Sequence, residues 1–107
     1  MNADGIASAC DPSGKLDVQV CALDDFFRGR PEAVSYLKAD VEGAEMSLLR
    51  GAAEIIRARK PKIAITTYHH RSDAVEIQAF LKGLRPDYRM RLKGITYAGN
   101  STLLHAW

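Results

Sequence analysis

Three carboxylates fall within six residues in Asp40-Val41-Glu42-Gly43-Ala44-Glu45, and two histidines stand side by side at His69-His70. A carboxylate can accept a hydrogen bond from a substrate hydroxyl or amine, or offer oxygen to a hard cation. An imidazole titrates near neutrality, so one lying beside a carboxylate can take a proton from a hydroxyl at physiological pH. Asp40 equally suits the cap of a following helix, and Glu45 complements a helix dipole. Spacing alone leaves both readings of Asp40 open. No second ligand cluster downstream would complete a cage, so no metal is expected. Gly43 permits a tight or left-handed backbone between the acids.

Other chemistry is weaker. Arg89, Arg91 and Lys93 share one face of a strand-like segment and could meet a phosphate or an acidic substrate. A charged face on an edge strand also discourages edge-to-edge pairing, and no aromatic residues interleave these cations as a nucleic-acid platform requires. None of the eight glycines lies two residues from another, so GxGxxG is absent, and so is GxxxxGK[ST]. Cys10 and Cys21 have neither CxxC spacing nor neighbouring histidines, and Cys21 after Val18 and Val20 reads as a buried, inert thiol. Fifteen Lys+Arg against thirteen Asp+Glu leave +2, too balanced to call for a nucleic-acid or membrane partner. The sequence contains neither a signal-peptide pattern nor a membrane-length apolar run, and a cytoplasmic location is expected.

The elements that must position these residues follow from periodicity. With 107 residues, 47% of them hydrophobic, the chain is long enough for one packed core. Residues 1–15 contain turn chemistry without periodicity and read as a loose arm, leaving 16–107 as the folded unit. Leu16-Asp17-Val18-Gln19-Val20 alternates as a half-buried strand, and Asp24 could cap a short helical turn after it. Residues 34–39 read as a second strand that delivers Asp40 to its C-terminal end. Leu48, Leu49, Ala52, Ile55 and Ile56 then mark one amphipathic helix, stopped by Pro61.

Residues 62–68 read as an internal parallel strand ending at His69. Ser72 or Asp73 caps a second helix carrying Ile77, Phe80, Leu81 and Leu84 on one face. Residues 88–93 and 102–107 make a terminal hairpin across the turn residues 98–101. The order is β-β-α-β-α-β-β. Its βαβ crossover makes the strands that end at Asp40 and His69 parallel, so both residues should reach one rim of the sheet.

The sequence Leu37-Lys38-Ala39-Asp40-Val41-Glu42-Gly43-Ala44-Glu45 is followed in order by Leu49-x-Gly51-Ala52, by Lys60-Pro61-Lys62-Ile63-Ala64-Ile65, by Tyr68-His69 and by Pro86-Asp87-Tyr88. Together with Leu23-Asp24-Asp25-Phe26-Phe27, these resemble an FkbM-type methyltransferase from about Val18 to the last residue. The resemblance implies an α/β fold, the C-terminal half of the Rossmann-like sheet of a class I, S-adenosylmethionine-dependent enzyme. Residues 102–107 would insert antiparallel between 62–68 and 88–93. It also implies O-methylation of a small molecule or sugar.

The same resemblance places Asp40 at the end of the family's fourth strand, next to the methyl end of the cofactor, with Glu42 and His69 flanking the cleft. Asp40, Glu42 and His69 are therefore the catalytic candidates, and Asp40 also the cofactor-binding one. Tyr68 matches as well and is equally suited to packing. The family's first half, with its glycine-rich turn, has no counterpart here. The alternatives are an inactive remnant serving as an oligomerisation or interaction module, or a truncated gene product. The expected partners are a small-molecule methyl acceptor and a second copy of the chain, paired through the open edge of 34–39; nucleic acid and membrane are not expected.

Overall fold

The computed structural model of the protein describes residues 17–95 and 101–107. The arm at 1–15 lies outside the described residues, as do Cys10, Leu16 and the turn positions 98–100. In chain order the elements are α1 (Leu23–Phe27), β1 (Tyr36–Ala39), α2 (Glu45–Arg50), α3 (Ala53–Arg59), β2 (Lys62–Thr66), α4 (Asp73–Leu84), β3 (Met90–Ile95) and β4 (Ser101–Ala106).

The sheet order is β1-β2-β4-β3. β1 runs parallel to β2, with Leu37 opposite Ile63 and Ala39 opposite Ile65. β4 lies between β2 and β3, antiparallel to both, so the last strand occupies the inserted position expected of the terminal hairpin. Period-two alternation sends Leu37, Ala39, Ile63, Ile65, Leu104 and Ala106 to one face, where they pack against Leu49, Ala52, Ile56, Ile77 and Leu81. Tyr88 closes this core, donating its hydroxyl to the Pro61 carbonyl at 2.5 Å.

Four expectations are corrected. Residues 17–20 form no strand, and Val18 is 76% exposed, because an alternating pattern needs a ladder partner to become a strand and none is supplied to it among the described residues. The leading β of the β-β-α-β-α-β-β order is therefore absent there. Cys21 follows this segment to the surface and is an exposed thiol.

The single amphipathic helix is in fact two. The Gly51 carbonyl leaves the helical ladder to accept the Asp24 amide at 2.8 Å, and Ala52 bonds back only three residues, to the Leu49 carbonyl. A Cβ at Gly51 would meet the Ala22 Cβ at 3.0 Å, so glycine lets α1 approach the break closely. Asp24 caps no turn of its own helix. Its carboxylate accepts the amides of Glu54 and Ile55 and so caps α3 from a distance.

β3 is one edge of the sheet among the described residues, and Arg91 and Lys93 on it, with Arg89 just before it, are exposed, which fits the edge-protecting reading of those cations.

Candidate functional site

Asp40 directly follows β1, and the chain then turns sharply through Glu42 at φ 53° and Gly43 at φ 99°. Positive φ at two successive residues is costly, most of all at the non-glycine Glu42, so surrounding contacts must hold it. Glu45 supplies them from the first residue of α2: its Oε2 accepts the Val41 amide at 2.8 Å and its Oε1 the Gly43 amide at 3.1 Å. Glu45 is fully buried. Thr66, at the end of β2, donates its hydroxyl to Glu45 Oε2 at 3.0 Å and to Asp40 Oδ1 at 3.4 Å, tying the two parallel strand ends together.

His69 completes the rim. Its Nε2 lies 3.7 Å from Asp40 Oδ1 and 3.6 Å from Glu42 Oε2, while its Nδ1 lies 3.2 Å from Glu45 Oε2. The Asp40 and Glu42 side chains are largely open, at 51% and 77% exposure, whereas His69 is 13% exposed. Tyr68 stacks on the imidazole with ring centroids 4.2 Å apart. The negative charge of Asp40, helped by partial burial and by Glu42 and Glu45, pushes the Tyr68 phenol above its ordinary range and keeps it neutral.

The neighbouring histidine has a different task. His70 Nε2 donates to the Gly43 carbonyl at 3.1 Å, and its backbone amide donates to Asp73 Oδ2 at 2.9 Å. His70 thus pins the β2–α4 loop onto the Gly43 turn.

The structure brings Asp40, Glu42 and His69 together, as their strand ends require. It adds two residues that sequence reasoning left out of the site, Glu45 and Thr66. By its position Glu45 is a complement to the helix dipole, and its one local signal is an acid placed four residues after Val41, where a side chain can fold back onto the turn amides. Asp40, Glu45 and His69 offer ligand atoms within 4.8 Å of one another, close enough to surround a cation. The Glu45 oxygens, however, already accept two amides and a hydroxyl. A cavity of about 200 Å³ lies elsewhere, between α1 and α3, lined by Phe27, Arg28, Arg30, Val34, Ile55 and Ala58 among others, and touches none of the rim residues.

A mixed α/β sheet with carboxylates and an imidazole at the C-terminal ends of adjacent parallel strands has its ligand-facing rim where such sheets bind substrates and cofactors. Residues 5–90 match the Methyltransferase FkbM domain, and the chain belongs to that family. It is also similar to the crystal structure of methyltransferase FkbM from Methylobacillus flagellatus KT, solved at 2.20 Å resolution, with a TM-score of 0.69 and 34% sequence identity. That match covers 80% of this chain and 22% of the other, so the chain spans about a fifth of that protein's length. No curated protein matches the chain.

Proposed function

We propose that this chain is the C-terminal part of an S-adenosylmethionine-dependent O-methyltransferase acting on a hydroxyl of a small molecule or sugar. The observation that carries the reading is the rim itself, with His69 Nε2 facing Asp40 Oδ1 and Glu42 Oε2 at 3.7 and 3.6 Å. The residues suit the cofactor's methyl end, because a sulfonium is a cation and Asp40 and Glu42 are open carboxylates that a cation could approach. Asp40 and Glu42 would hold that end. When bound, S-adenosylmethionine supplies an electrophilic methyl carbon on sulfur.

The chain's own residues would orient and deprotonate the acceptor. Its hydroxyl would donate to His69 Nε2, and the imidazole would take that proton so that the oxygen is left nucleophilic toward an electrophilic methyl carbon. Asp40 and Glu42 would then stabilise the imidazolium, and the stacked Tyr68 ring would limit its reorientation.

Two experiments test this. Calorimetry on the chain alone is expected to give no tight cofactor binding, since no glycine-rich loop lies within it; micromolar binding by a monomer would overturn the reading of the chain as a partial domain. Replacing the matching segment of the Methylobacillus flagellatus protein by this chain should give a cofactor-binding hybrid, and Asp40→Asn in it should weaken binding about tenfold, roughly 1.4 kcal/mol. A folded hybrid that binds equally well with and without Asp40 would remove Asp40 from the cofactor site.

The edge of β1 favours a second reading, a non-catalytic module that pairs with another copy. β1 has β2 as its sole strand neighbour among the described residues, and Tyr36 on it is 57% exposed. An open strand edge is a template for a second chain. Light scattering should then give a dimer mass that a proline at Lys38 converts to monomer; a monomer at all concentrations sinks this reading.

A further inference from the structure

We propose that Glu45 is the positioning residue of this rim. Its buried carboxylate holds the proton of neutral His69 on Nδ1, so that Nε2 turns its lone pair to the opening between Asp40 and Glu42, and His69 rather than Asp40 takes the acceptor's proton. The role in proton transfer rests on the methyl-transfer reading; the tautomer does not.

Three of the groups around Glu45 explain its burial. The Val41 and Gly43 amides and the Thr66 hydroxyl donate to it, and a buried carboxylate requires such donors. They do not explain His69. His69 Nδ1 is buried and makes no hydrogen bond among the described residues, yet it stands 3.2 Å from Glu45 Oε2. The ring edge is not aimed squarely at that oxygen, so the contact is weaker than an aligned hydrogen bond, yet it is closer than either carboxylate approach to Nε2 and less screened, since Glu45 is buried while Asp40 and Glu42 are open to water. An unprotonated Nδ1 would press its lone pair against a carboxylate oxygen, whereas a protonated one is attracted to it. The contact therefore selects the Nδ1–H form.

The opposite ring nitrogen is then the acceptor. Its separations from Asp40 and Glu42 exceed hydrogen-bond length, so neither carboxylate occupies the lone pair and a hydroxyl can reach it. His70 provides an internal contrast, because its Nε2 faces the Gly43 carbonyl, which can only accept, and so carries the proton. Adjacent histidines are held in opposite tautomers by one turn.

The test is ¹⁵N NMR of the imidazoles in the full chain above neutral pH, with His69 assigned through His69→Asn. The expected result is a protonated Nδ1 and an unprotonated Nε2 at His69, with the reverse at His70. In Glu45→Leu, His69 should relax to the tautomer mixture of a free imidazole, while Thr66→Val, which removes a donor to the same oxygen, should keep the wild-type signature. An Nε2-protonated His69 in the wild type, an unchanged His69 in folded Glu45→Leu, or loss of the signature in Thr66→Val would each overturn the proposal. If Glu45→Leu does not fold, the wild type and Thr66→Val still decide. The readout needs neither cofactor nor acceptor, so a fixed Nδ1–H tautomer in a hybrid that fails to bind S-adenosylmethionine sinks methyl transfer and leaves Glu45 in place.

Discussion

The Asp24 carboxylate reaches across thirty residues to the backbone of Glu54, accepting its amide at 2.9 Å and that of Ile55 at 3.0 Å. Helix α3 begins after Ala52, which offers no capping side chain, so its first amides depend on this distant acid. The same contact seats α1 against the break at Gly51.

Asp24→Ala should therefore destabilise the chain by about 1–2 kcal/mol, the cost of a lost helix cap. Denaturant unfolding measures it, and Asp24→Asn should recover part of the loss. A cost close to zero would mean that α3 is held by packing alone.

Gly43→Ala should cost roughly 1–3 kcal/mol, because an L side chain is strained at φ 99°. The new Cβ would also stand 3.1 Å from His70 Nε2, against the bond that ties the β2–α4 loop to the turn. Thermal unfolding reports the cost; a histidine spectrum in which His70 alone has moved would locate it.

Burial pushes the Tyr88 phenol up to about 12 from an ordinary 10.0, with Asp87 adding to the shift and Arg85 opposing it. A raised folded-state value means that the stabilisation is fully present below pH 10 and is lost as pH climbs toward 12. Unfolding free energy should fall across that window in the wild type. Tyr88→Phe should lose the Pro61 bond, about 1 kcal/mol, and also flatten the alkaline slope. An equal slope in both proteins would assign it to another group.

Divalent cations should leave the thermal midpoint where it is. Glu45, the one buried carboxylate of the rim, already accepts two amides and a hydroxyl, which leaves two open acids and one imidazole for an ion. A midpoint that rises with manganese concentration and falls back with chelator would show a cation site at Asp40, Glu42 and His69.

Much of this was legible in the residues themselves. The turn residues before Val34 placed β1, an uncharged β-branched run placed β2, three-to-four spacing placed α4 and alternation the terminal hairpin, and the crossover rule put Asp40 and His69 on one rim, because these patterns reflect hydrogen bonding and burial within a short segment. What the sequence could not decide depended on contacts between distant segments. The apolar period runs unbroken through Gly51, and only the approach of α1, with Asp24 arriving from outside, divides the helix there. The alternation at 17–20 finds no partner strand among the described residues, so Val18 and Cys21 stand in solvent. His69 and His70 are the same residue type one position apart, and that one position sends the first imidazole to Asp40, Glu42 and Glu45 and the second to the Gly43 carbonyl. Glu45 has an ordinary place in a first helical turn, and it becomes the buried centre of the rim only when the parallel register sets Thr66 beside Asp40 and brings His69 over it.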